Sequence, residues 1–171
     1  MPKWAMKWVA ALVLLLIASP SFAATQTSPA AKQIQALYDQ AGNLMVKQDV
    51  RGLVKYLQET RTSSYAYISK QSGKRSLIEM IQSMAMVLST FRVIKAGVHV
   101  DQCHVNGSTA IVTITTRIEM VTKASKGHIA HTLGQETHGE DTWIKTDGAW
   151  KLKQSKVATE SITQDGRPVT N

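Results

Sequence analysis

The feature that most constrains this chain is a change of hydrophobic period at Phe91. Before it, Leu77, Met80, Ile81, Met84, Val87, Leu88 and Phe91 recur at the three-and-four spacing of one helical face. After it the period is two: Ile94, Ala96, Val98 and Val100 alternate with Lys95, Gly97, His99 and Asp101. Side chains on a strand point alternately to opposite faces, so this segment buries one face and wets the other. Asn106-Gly107 then signals a hairpin, and Ala110, Val112, Ile114, Ile118 and Met120 alternate with Thr113, Thr115, Arg117 and Glu119. A two-residue Asn-Gly loop would set Val100 opposite Thr113 and mix the faces. A three-residue loop, Val105-Asn106-Gly107, sets Val100 opposite Val112 and Val98 opposite Ile114. The second is expected, with Gly107 in the left-handed position, because one face must be uniformly apolar. Two more strands follow, one within 128–146 and interrupted near Gly134 to Gly139, the other from Ala149 to about Ser161. Asp147-Gly148 joins them. The pattern leaves open which face carries Trp143. A final turn spans Gln164 to Pro168.

Upstream, Ile34, Leu37, Tyr38, Ala41, Leu44 and Met45 mark an amphipathic helix. Asp49 reads as the N-cap of a second helix carrying Leu53, Val54, Tyr56 and Leu57. Tyr65-Ala-Tyr-Ile is a brief strand, and Ser72-Gly73 is a turn before the third helix. The methionines of that helix read as core filler. The expected fold is α+β, with three N-terminal helices packed on a curved, mostly antiparallel sheet. The sheet's polar face carries His99, Asp101, Thr113, Thr115 and Arg117, toward solvent or a second subunit.

The first residues carry a different message. Lys3 and Lys7 precede the uncharged apolar run from Val9 to Ala18, and Ser19-Pro-Ser-Phe-Ala23 ends it with a small-x-small pattern. This is the signature of a cleavable signal peptide, 1–23, cut after Ala23. The run is shorter than the about 20 residues a bilayer span needs. Export to the periplasm or the medium is therefore expected. A flexible linker over 24–31, a domain over 32–168 and a tail over 169–171 complete the reading. The leader holds two lysines and no acid, so the net charge of +8 falls to +6 on cleavage. The remaining Lys and Arg are scattered, without a basic run or interleaved aromatics, so neither nucleic acid nor, after cleavage, a membrane is expected as a partner. Cys103 is the sole cysteine, which excludes an intramolecular disulfide and leaves a dimer-linking disulfide or a buried thiol, the commoner outcome.

The order helix, helix, strand, helix, then four long strands resembles the nuclear transport factor 2-like superfamily. That group includes SnoaL-like polyketide cyclases and ketosteroid isomerases. The residues that carry the resemblance are Gln48-Asp49-Val50 between the first two helices, the stretch Asp141-Thr-Trp-Ile-Lys-Thr-Asp-Gly-Ala-Trp-Lys-Leu152, and Gln164-Asp-Gly-Arg-Pro168. It covers roughly Lys32 to Pro168. The resemblance implies a cystatin-like cone, a pocket between sheet and helices, and a homodimer. It implies no particular activity, since one fold hosts many. The isomerases carry their base on the first strand after the second helix. Here that stretch, Ser63 to Ser69, has no carboxylate, which counts against isomerase-like proton abstraction.

Among the residues, His131 alternates with Ile129 and Leu133 and is the candidate catalytic base. Tyr38, Tyr56, Tyr65, Tyr67 and Trp143 are the candidate ligand-binding residues, able to present rings and hydroxyls to a pocket. Glu136, Glu140 and Asp141 read as solvated acids at a pocket mouth. No spacing matches a metal motif, no phosphate loop is present and no cofactor is expected. Three functions remain: an exported protein binding a small apolar ligand without an identifiable catalytic centre, a SnoaL-like hydratase, cyclase or isomerase using His131 and a tyrosine, or a homodimeric interaction module. Whether the chain is an enzyme stays open.

Overall fold

The computed structural model describes residues 28–123 and 130–169. The expected signal peptide lies outside the described residues. Three helices come first: α1 (Pro29–Val46), α2 (Val50–Thr60) and, after two strands, α3 (Leu77–Thr90). The strands are β1 (Arg61–Ser69), β2 (Gly73–Ser76), β3 (Phe91–Asn106), β4 (Thr109–Thr122), β5 (Thr132–Thr146), β6 (Ala149–Gln164) and the short β7 (Arg167–Pro168). They form one sheet in the order β2-β1-β6-β5-β4-β3, with β7 on β6. All pairs are antiparallel except β1 with β6, which is parallel. This is the expected α+β architecture. Among the described residues no helix is long and apolar enough to cross a membrane, which says nothing about spanning by strands.

Local chemistry sets the helix starts. Ser28 caps α1, its Oγ accepting the Ala31 N–H at 3.1 Å, and Pro29 occupies the first turn, where no N–H is needed. The helix therefore begins inside the segment expected to be a linker through Ala31. Asp49 caps α2, accepting from Gly52 N at 2.8 Å. Ser76 and Glu79 form a capping box on α3.

Helix α1 covers β3, an edge strand whose outer backbone groups need partners. Gln35 supplies them: its Nε2 donates to Val98 O at 2.7 Å and its Oε1 accepts from Val100 N at 2.9 Å. Gly42 makes the approach possible, because a Cβ there would stand 2.6 Å from Ala96 O.

The β3–β4 hairpin corrects the expected register. The turn is Gly107-Ser108, with Asn106 opposite Thr109 and Cys103 opposite Val112, and Val100 faces Ile114. The register shifts across Asp101 and again across Ile94. Each extra residue reverses the side on which later residues fall. Val93, Val100 and Cys103 all become buried, whereas Ile94, expected on the apolar face, is 37% exposed. Strand β5 is also continuous rather than interrupted, and a shift at His138/Gly139 replaces the expected break. Trp143 faces inward and is 1% exposed. The core has two parts. One gathers Ile34, Tyr38, Val100, Val112, Trp143 and Leu152 under α1. The other gathers Leu53, Leu57, Leu88, Val93 and Met120 under α2 and α3.

Candidate functional site

Between the two halves of the core lies a cavity of about 270 Å³. That is near the small end of ligand sites, which run roughly 300–1,000 Å³. Met45 of α1 and Met80, Met84 and Val87 of α3 form its helical wall; Ile114, Ile118 and Met120 belong to its sheet wall. Met80 and Met84, which read as core filler, thus face open volume. Unbranched thioether chains suit such a wall because they repack around different shapes.

One polar end of this cavity is Asp141. Alternation along β5 puts Asp141 on the same face as Trp143, and it is only 2% exposed. Tyr38 of α1 donates its hydroxyl to Asp141 Oδ2 at 2.5 Å, and Trp143 Nε1 donates to the Tyr38 oxygen at 3.0 Å. The Tyr38 and Trp143 rings meet edge to face with centroids 5.4 Å apart. One carboxylate oxygen is therefore held by a buried relay of two aromatic side chains. The other, Oδ1, is buried and has no hydrogen-bond partner. Ser155, opposite on β6, stands near enough to favour the ionised carboxylate without completing a hydrogen bond to Oδ1. Its Oγ is 3.3 Å from the Tyr65 hydroxyl.

Burial raises the Asp141 pKa to about 6, against the opposing pull of the Tyr38 and Ser155 hydroxyls and the Arg61 charge. Burial also pushes the Tyr38 phenol well up, and the neighbouring Asp141 charge pushes it further. Tyr65 and Tyr67 are raised too, chiefly by burial. Gly139 keeps the wall beside Asp141 close, since a Cβ there would meet Lys156 O at 2.4 Å.

Of the residues expected to bind ligand, only Tyr67 lines the cavity directly. Tyr38 and Trp143 stand behind Asp141, and Tyr65 behind Ser155. Tyr56 donates to Leu37 O and ties α2 to α1. His131 is not a cavity residue. It precedes β5 with its side chain 45% exposed, and its Nδ1 lies 2.8 Å from Asp165 Oδ2. Asp165 also accepts from Thr132 N at 2.9 Å, and the His131 contact holds the Asp165 carboxyl below its usual range. The expected general base thus belongs to a surface clasp between β5 and the β6–β7 turn. Its apolar neighbours in sequence gave the wrong impression because β5 begins only at Thr132.

Asp141 is the residue whose burial sequence reasoning missed. Together with Glu136 and Glu140 it reads from the sequence as a solvated acid at a pocket mouth. The one signal that leads to it is alternation from Trp143, once that tryptophan is known to point inward.

No family model matches the sequence, and no curated protein does. Solved structures do resemble it. A conserved protein from Planctomyces limnophilus DSM 3776 superposes with a TM-score of 0.62 at 12% identity, over 81% of this chain and 96% of that one. A nuclear transport factor 2 superfamily protein from Salmonella enterica gives 0.54 at 15%, over 82% and 92%. A nuclear transport factor 2-like protein from Cytophaga hutchinsonii ATCC 33406 gives 0.52 at 12%, over 72% and 93%. Identities this low speak for the fold alone, and the topology of three helices on a curved mixed sheet agrees. The chain has the fold of the nuclear transport factor 2-like superfamily.

Proposed function

We propose that this chain is an exported protein that binds a small, largely apolar ligand inside the cone, with Asp141 as the polar anchor. The observation that carries the reading is the buried Asp141 Oδ1, unpartnered beside an apolar cavity. Leaving a buried acceptor unpaired costs about 1–3 kcal/mol, more for a charged group. A ligand that donates a hydrogen bond removes that cost. Export is inferred from the leader at 1–23, and a homodimer from the resemblance, with the polar outer face of the sheet as the docking surface.

A second reading is favoured by the same carboxylate. A group that titrates near 6 beside an apolar cavity can take and return a proton near neutral pH, as a hydratase, cyclase or isomerase requires. Asp141 then takes the part that the sequence assigned to His131, with Tyr38 holding it in place.

Native mass spectrometry of the mature protein, purified from the exported fraction of its own cells, tests these readings together. A retained small molecule, absent from an Asp141→Asn variant, supports the binding reading. Conversion of that molecule to a new mass on incubation moves the assignment to the enzyme. A dimer that stays empty against a lipid and metabolite panel overturns both and leaves the interaction module.

A further inference from the structure

The sheet registers place four cavity-lining residues in one row across four strands. Asp141 on β5 stands opposite Ser155 on β6, Ser155 opposite Tyr67 on β1, and Tyr67 opposite Arg75 on β2. All four line the cavity. Neighbouring strands lie about 4.8 Å apart, so the backbones of Asp141 and Arg75 are separated by roughly 14 Å along the sheet. The row therefore opens with a carboxylate, closes with a guanidinium and has two hydroxyl groups between them.

Both ends have capacity to spare. Asp141 Oδ1 is an acceptor with no donor. Arg75 uses Nη1 to donate to Ser83 Oγ at 3.0 Å, which leaves most of its five N–H groups. Among the described residues Arg75 takes part in no ion pair with an acidic side chain. Between the ends, Met80 and Met84 offer only apolar contact from the other side. A carboxylate is repelled by the Asp141 end and matched by the planar fork of Arg75. A hydroxyl suits the Asp141 end.

We propose that the ligand is two-ended: an apolar chain or ring with a carboxylate held by Arg75 and a hydroxyl or other hydrogen-bond donor held by Asp141. This rests on the ligand-binding reading and adds the chemical class. Isothermal titration calorimetry of the mature protein with ω-hydroxydecanoate, decanoate and decanol tests it. The hydroxy acid is expected to bind at least about tenfold more tightly than either single-ended chain, as charge-assisted hydrogen bonds allow. Arg75→Gln should remove about tenfold from the two carboxylates and leave decanol unchanged, which also shows that the cavity is intact. If the three chains bind alike and Arg75→Gln changes none, the two-ended ligand is wrong while the apolar cavity stands. If none binds, both fall.

Discussion

Two polar rows cross this sheet, one on each face, and they are built differently. On the outer face, Asp101 accepts from Thr115 Oγ1 at 2.8 Å, and Thr115 Oγ1 lies 3.0 Å from His138 Nδ1. His138 Nε2 lies 3.1 Å from Glu136, which also pairs with Arg117 at 2.7 Å. Every member has a partner, and water reaches the row. On the inner face, Asp141, Ser155, Tyr67 and Arg75 share a row but leave acceptor and donor capacity unspent. The outer row is complete as it stands. The inner one leaves Asp141 Oδ1 without a donor and Arg75 with N–H groups to spare, and that difference makes the cavity rather than the charged surface the place to look for function.

The comparison can be broken most severely at Trp143. Trp143→Ala removes a fully buried ring and the donor that orients Tyr38, and should cost about 3–5 kcal/mol in chemical denaturation. A loss below about 1 kcal/mol would mean that the relay behind Asp141 is not rigid.

Asp141 itself gives the next effect, of opposite sign. Its carboxyl titrates near 3.8 when exposed and about 6 in the fold. The folded state thus binds the proton more tightly, so stability falls as pH rises through that window and stays lower above it. The penalty at pH 8 is about 3 kcal/mol at 1.36 kcal/mol per unit. Asp141→Asn keeps an acceptor for Tyr38 and carries no charge, so it should stabilise the empty protein by about that amount at pH 8 and by little near pH 4. Denaturation curves at the two pH values check this. A variant less stable than the parent at both would mean that the carboxylate serves packing rather than a ligand.

The smallest effect belongs to the outer row. Arg117 is largely exposed and Glu136 partly so, and pairs that water reaches are screened by salt. Arg117→Gln should leave the unfolding midpoint unchanged within error at physiological ionic strength. A clear loss would show the outer row to be more than a solvated surface.

Much of the fold was legible because it depends on neighbours in the chain. The three-and-four spacing in α1 and α3, the cap at Asp49 and the alternation along β4 all act within a few residues. The site was less legible. His131 looked inward because it alternates with Ile129 and Leu133, and Asp141 looked outward because an acid beside an expected strand break reads as solvated. Neither inference survives where a strand starts later than its apolar run or where the facing strand decides which side is inside.

By itself, then, the sequence determined the three helices, the four long strands after them, the α+β class and the turn at Asp147-Gly148, since period and backbone preference are local properties; the short strands β2 and β7, expected only as turns, exist because β1 and β6 pair with them. Tertiary structure alone decided the extra residues at Ile94 and Asp101, the inward face of Trp143 and the row from Asp141 to Arg75. That row draws one residue from each of four strands, and the parallel pairing of β1 with β6 closes it. A register between distant segments is set by what their side chains can bury together, which no single stretch of sequence contains.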